Sequence, residues 1–278
     1  MKLTVLVDNN TLIDRYFFGE PGVSYYIEAD GIKVLFDVGY SDIFIQNANK
    51  MSIDLLELDI IVLSHGHLDH TWGLDPLVRM YTEAGLEALP AKRPKLVAHP
   101  NALLPKRSEK VPQSGSLIGA DALSAFTELK LSKVPFHLSE NLVFLGEIER
   151  TNNFEAQEPH GKTLDNGIEK DDYLLDDSAL AYKTESGLVI ITGCSHSGIC
   201  NIVEQAREVC GEQRVLDIIG GFHLMDPPQE QLQGTVEYLQ DLNPRELHAC
   251  HCTDLNSKIA LAKAANLKEV GVGLTQEY

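Results

Sequence analysis

The densest chemistry in the chain lies in Ser64-His65-Gly66-His67-Leu68-Asp69-His70, where three imidazoles and a carboxylate share one short run. On an extended segment, alternation places His65 and His67 on one side, where both ring nitrogens can reach one ion. Asp69 and His70, after the chain turns, can serve a second ion nearby. The competing reading is a solvated polar loop or a helix start capped by Asp69. The apolar Ile60-Ile61-Val62-Leu63 before the run and the Trp72-Gly73 turn after it favour the ligand reading.

Three later segments have a related layout, each a small-residue turn or short motif carrying histidine: Gly193-Cys194-Ser195-His196, Gly220-Gly221-Phe222-His223 and Cys250-His251-Cys252. Cys194 is either a thiolate ligand or a plain buried residue. His223 follows two glycines that would let backbone approach a ligand closely, or it is a histidine satisfied by backbone hydrogen bonds. Cys-His-Cys invites a zinc-knuckle reading, but no second cysteine pair of suitable spacing exists to close such a site. His99, before Pro100, either faces the site or caps the chain after a strand.

These groups need strands to aim them. Residues 3–7 alternate as a strand that Asp8-Asn9-Asn10 ends, and Gly22 to Ala29 and Ile32 to Val38 form a hairpin around Asp30-Gly31. A helical stretch around Asp42 to Lys50 precedes the doubly buried run Ile60 to Leu63. Leu74 to Ala84 reads as a helix and Lys95 to Ala98 as the next strand. Between residues 101 and 177 the pattern loosens, apart from a strand at Leu142 to Leu145, and is expected to be an insertion or lid. Regular order returns with strands at Ala179 to Tyr182, Gly187 to Ile191 and Val215 to Ile219. Helices are expected around Ile199 to Val209, Gln229 to Leu242 and Leu255 to Ala265. The expected class is α/β, in one domain over 1–278, with histidines collecting at strand carboxyl ends where α/β ligand sites form.

Composition narrows the function. With 278 residues and 44% apolar side chains, the chain can bury a substantial core. A net charge of −18 argues against nucleic acid or anionic membrane as a partner. No run approaches the roughly 18 apolar residues of a spanning helix. The start lacks a signal peptide's apolar core, so a cytoplasmic location is expected. The five cysteines, odd in number and clustered late in the chain, do not read as a disulfide framework.

The His65-to-His70 motif, with Asp37 at the end of Leu35-Phe36-Asp37-Val38-Gly39, resembles the metallo-β-lactamase superfamily over nearly the whole chain. The resemblance implies an αβ/βα sandwich of two mixed sheets flanked by helices, with a metal site at their shared edge. The motifs around Cys194, His223 and His251 resemble the branch named for a dihydropterin-ribofuranosylaminobenzene phosphate synthase, which also holds many uncharacterised hydrolases. By position, the resemblance implies that His65, His67 and a later histidine, taken as His196, bind the first ion. It assigns Asp69, His70 and His251 to the second. The superfamily's bridging Asp is replaced here by Cys194 in Thr192-Gly193-Cys194, so either the thiolate bridges, His196 substitutes, or one metal alone is tightly held. Asp37 is the natural group to fix the tautomers of the ligand histidines.

The expected cofactor is Zn2+, as one or two ions, with Fe or Mn as alternatives. Such an ion brings the pKa of bound water from 15.7 towards about 7 and polarises a carbonyl or phosphoryl oxygen. Asp69 and His223 are the candidate catalytic groups, Asp69 by orienting the water. The expected reaction is hydrolysis of a small, anionic ester, lactone, thioester or phosphodiester. Lys106, Arg107 or Arg150 are candidates to neutralise a phosphate, weighed against plain surface charge. The alternative is a transferase condensing a dihydropterin pyrophosphate with a ribofuranosylaminobenzene phosphate. A flat slot lined by Phe or Tyr from residues 136 to 182 would favour the pterin, and an open, shallow site hydrolysis. A redox sensor and a ribonuclease are weaker readings, the first for want of length for a flavin domain and the second because of the charge.

Overall fold

The computed structural model describes residues 1–278. In chain order the elements are β1 (Lys2–Val7), β2 (Ser24–Ala29), β3 (Ile32–Phe36), α1 (Ile43–Lys50), β4 (Ile60–Val62), α2 (Leu68–Thr71), α3 (Leu74–Leu86), β5 (Lys95–Ala98), β6 (Lys106–Arg107), α4 (Ala120–Leu123), β7 (Glu128–Leu131) and β8 (Phe136–His137). There follow β9 (Leu142–Phe144), β10 (Lys162–Asp165), β11 (Ile168–Asp171), β12 (Ala179–Thr184), β13 (Gly187–Thr192), α5 (Ile199–Cys210), β14 (Val215–Gly221), α6 (Gln229–Leu242), β15 (Glu246–Cys250), α7 (Leu255–Ala264) and β16 (Thr275–Glu277).

Two mixed sheets carry the architecture. One runs β16-β1-β2-β3-β4-β5-β7 and the other β15-β14-β13-β12-β9-β8. Pairing is antiparallel through the β2–β3 hairpin and parallel from β3 to β7. In the second sheet β13, β14 and β15 are parallel. At the hairpin, Asp30 and Gly31 both have positive φ, as a type I′ turn requires.

The alternation along each strand explains the layering. Ile60 and Val62 of β4, and Val189 and Ile191 of β13, point into one core shared by both sheets. Ile61 points the other way, towards Phe44 of α1 and Leu74 and Leu77 of α3. Ile190 likewise faces Ile199, Ile202 and Val203 of α5, with Leu239 of α6 and Leu261 of α7 in the same cluster. Strands covered on both faces must be apolar throughout, which is why these runs carry no polar alternation. The result is helices, sheet, sheet, helices: the αβ/βα sandwich.

Residues 101–177 are not a single insertion. β7 extends the first sheet, and β8 and β9 complete the second. Only β6, β10 and β11 stand apart, as a small antiparallel sheet in the order β11-β10-β6. Short edge strands carry weak hydrophobic patterns, so the framework strands in this range were hard to separate from loop. No helix is long and apolar enough to cross a membrane.

Candidate metal centre

Five strands deliver the site from their carboxyl ends. β3 leads to Asp37, β4 to Ser64 and His65, β13 to Cys194 and His196, β14 to His223, and β15 to His251. Asp37, Ser195, His223 and His251 all sit at positive φ, between 48° and 61°. For residues other than glycine this costs about 1 kcal/mol each, a strain that concentrates where side chains must be aimed.

Asp37 organises the first motif. Its Oδ1 accepts the Ser64 backbone N–H at 2.7 Å, and its Oδ2 accepts both Ser64 Oγ and His70 Nδ1 at 2.7 Å. Because the Ser64 hydroxyl donates to Asp37, it accepts from His65 Nδ1, 2.9 Å away. Both imidazoles therefore carry their proton on Nδ1 and present the Nε2 lone pair. Gly193 allows this packing: a Cβ there would lie 2.2 Å from Ser64 Oγ and 2.9 Å from Asp37 Oδ2. His251 is fixed the same way, with Nδ1 3.0 Å from Asn9 Oδ1 and its backbone N–H donating to Asp8 Oδ1 at 3.0 Å.

The lone pairs converge. His251 Nε2 is 3.3 Å and His70 Nε2 3.7 Å from Asp69 Oδ2, and His70 Nε2 is 3.2 Å from Cys194 Sγ. Asp69, His70, Cys194 and His251 each offer a ligand atom, all within 4.8 Å of one another, and so do His65, Cys194 and His196. Cys194 belongs to both groups and stands between them. The His67 ring lies 4.8 Å from His65 and 4.7 Å from His196. All the sequence-predicted ligands are thus brought together, with His223 4.2 Å from His196.

The electrostatics suit a cation. Burial and the neighbouring His70 and His67 hold His65 well below the usual histidine range. Burial and the neighbouring His223 and His65 do the same to His196. Burial acts to raise the Asp69 carboxyl, yet His70 and His251 overcome it and keep the group well below the carboxylate range. Burial pushes the Cys194 thiol well up, so a metal would have to displace its proton. His65 Nε2 and both ring nitrogens of His196 are buried with no hydrogen-bond partner. Leaving such atoms unpaired costs about 1–3 kcal/mol each, which coordination would offset. The set of imidazoles, one carboxylate and one thiol fits Zn2+ or a similar borderline ion.

Several readings that the sequence leaves open are resolved by the packing. Gly220 and Gly221 serve strand packing: a Cβ at Gly220 would meet Thr192 O at 2.1 Å, and one at Gly221 would meet Cys252 Sγ at 2.5 Å. His99 caps a turn, accepting the Asn101 N–H, and pairs with Glu147. Lys106 is buried between Asp172 and Asp176, each at 2.8 Å, Arg107 pairs with Glu169, and Arg150 donates to backbone carbonyls. None of the three lines the cavity over the site, which holds about 370 Å3. Its lining includes Asn9, His67, Asp69, His160, His196 and His223, and no Phe, Tyr or Trp.

Other contributors escaped the sequence reading. Asp176 Oδ2 accepts the Gly66 N–H at 2.8 Å, and Asp177 Oδ2 accepts Ser197 N–H and Oγ at 2.9 and 2.5 Å. These neighbouring carboxylates each hold one ligand loop, a role hidden in what reads as an acidic loop end. Asp8 and Asn9 read only as a strand terminator. His160, in a polar stretch without periodicity, carried no signal.

Comparison with known proteins bears on this arrangement. Residues 18–94 match the model of the metallo-beta-lactamase superfamily. The chain is 31% identical over 273 residues to a Methanocaldococcus jannaschii protein named 7,8-dihydropterin-6-methyl-4-(beta-D-ribofuranosyl)-aminobenzene-5'-phosphate synthase, covering 93% of this chain and 89% of that one. Among solved structures, one described as a metal-dependent hydrolase of the beta-lactamase superfamily aligns with TM-score 0.83 and 28% identity, over 100% of this chain and 99% of the other. The metallo-beta-lactamase fold protein YhfI from Bacillus subtilis, at 12% identity, shares the fold with TM-score 0.60 over 100% and 99% of the two chains. With identity sustained across nearly its full length, the chain belongs to the metallo-beta-lactamase superfamily.

Proposed function

We propose that the chain is a metal-dependent hydrolase of a small anionic molecule, an ester, lactone, thioester or phosphodiester, with Zn2+ the favoured ion and Fe or Mn alternatives. The observation that carries the reading is the convergence of partnerless buried nitrogens on His65 and His196 with Asp69, His70, Cys194 and His251 beneath one open cavity. His65, His67 and His196 would hold one ion, Asp69, His70 and His251 a second, and Cys194 stands where it could bridge. Such an ion, when bound, supplies hydroxide at neutral pH and polarises the scissile oxygen.

The chain's own residues do the rest. Asp37, directly and through Ser64, keeps the protons of His70 and His65 on Nδ1. Asp69, too acidic to hold a proton near neutrality, orients a water as an acceptor. His223 lines the cavity as a neutral imidazole able to hydrogen-bond a leaving group through its ring N–H. With no Lys or Arg in the lining, attraction of an anion falls to the metal. The acidic surface makes nucleic acid an unsuitable substrate, and the five free thiols suit a cytoplasmic setting.

The 31% identity to a named synthase supports a second reading, condensation of a dihydropterin pyrophosphate with a ribofuranosylaminobenzene phosphate. The lining speaks for the first, since no Phe, Tyr or Trp is there to stack on a pterin. The test is metal analysis of the purified protein, followed by assays on a panel of the four substrate classes with Asp69→Asn as control. Metal retention with Asp69-dependent hydrolysis is expected. A protein that retains no transition metal, or hydrolyses at the same rate after Asp69→Asn, overturns the hydrolase reading; saturable binding of a pterin with no hydrolysis selects the second.

A further inference from the structure

A third cluster lines the same cavity and shares only His196 with the ligands of the proposed centre. His160, His196 and His223 each offer a ring nitrogen, and these lie within 4.8 Å of one another. Their ring centroids are 4.9 Å apart for His160 and His196, 4.7 Å for His160 and His223, and 4.2 Å for His196 and His223. The three come from separate parts of the fold: His196 and His223 follow β13 and β14, while His160 leads into β10 of the small sheet.

The chemistry of the cluster points to a ligand. His196 is 7% exposed and neither of its ring nitrogens has a hydrogen-bond partner. His196 belongs both to the deeper group with His65 and Cys194 and to this one, and with an ion in each it would bridge them as an imidazolate, its ring proton released to solvent on binding. His223 is fixed at a φ of 50°, in the left-handed region, although nothing bonds its ring. Three imidazoles whose ring nitrogens converge are good ligands for a borderline divalent ion.

We propose that His160, His196 and His223 form an additional site for a divalent transition-metal ion, whose occupation ties the small β6-β10-β11 sheet over the cavity through His160. The site does not depend on which reaction the deeper centre performs. An ion held there would close the cavity on one side and narrow the substrates admitted.

The test is equilibrium dialysis of metal-free protein against Co2+, counting bound ions for wild type, His160→Ala, His65→Ala and the double variant. His160 is exposed, so its variant is expected to fold. The expected result is loss of one equivalent in His160→Ala, of a different one in His65→Ala, and of both in the double. Hydrogen exchange supplies a second reading: Co2+ should slow exchange across the Lys162–Asp171 hairpin in wild type and not in His160→Ala. Equal Co2+ content and hairpin protection in wild type and His160→Ala would overturn the site while leaving the deeper centre intact. A double variant losing no more than His65→Ala would assign His160 to the deeper ion and overturn it also. Failure of every protein to bind Co2+ would remove both this site and the centre below it.

Discussion

β15 and the turn that follows it carry two buried histidines with opposite fates. His248, in the strand, has Nδ1 2.9 Å from Asp217 Oδ1 and Nε2 3.1 Å from the Gln276 side-chain amide. Tyr278 OH also donates to Asp217 Oδ2, at 2.5 Å. His251, beyond the strand end, has Nδ1 held by Asn9 and Nε2 turned to Asp69. Asp217, Glu246 and His248 meet the same ligand spacing as the proposed centre, and the groove beside them is larger, about 820 Å3. The difference is satisfaction. Both nitrogens of His248 have protein partners, whereas His65 and His196 keep buried nitrogens with none. Proximity of ligand types is common in a folded chain; buried lone pairs left open are costly and mark a site.

Acid should separate the two regions most strongly. Burial lowers His67 to about 4 and His223 to about 3. Between those values and about 6.5 the unfolded chain binds more protons, so stability rises with pH. The contribution is complete above pH 6.5 and is lost as pH falls towards 4 and then 3. Each group should cost metal-free protein on the order of 2 kcal/mol between pH 6.5 and 5, measured by denaturant unfolding. His67→Gln should flatten that dependence; an unchanged slope would break the distinction.

Next in size is Asp217→Ala, which strands the donors of His248 and Tyr278. It should destabilise the fold by about 3 kcal/mol, seen as a lower unfolding midpoint, without changing bound metal per folded molecule. Asp37→Asn reverses that pattern, weakening metal affinity by about 10- to 100-fold in a competition titration because His65 and His70 lose their fixed tautomers. Were Asp217→Ala to strip the metal as well, the satisfied cluster would belong to the site. The smallest effect is expected from Ser64→Ala, which removes only the relay between Asp37 and His65. A loss of about 1 kcal/mol in stability should come with a metal affinity reduced less than in Asp37→Asn.

The doubly apolar runs at Ile60 to Leu63 and Gly187 to Ile191, and the Asp30-Gly31 turn, made the sandwich legible. Burial on both faces and positive φ at two turn residues leave few other sequences. His65 and His196 were legible because each lies just beyond such a strand, and His67, Asp69 and His70 because they share one motif with His65. The chain by itself thus determined the strand ends and the identity of the groups placed there. It did not determine their partners. That Asp37 steers His65 through a serine, that Asp176 and Asp177 brace two ligand loops, that Lys106 is consumed by carboxylates, and that His160 reaches His223 are decided by segments far apart in sequence. Only tertiary packing sets which donor meets which acceptor, and hence which nitrogens remain open for a metal.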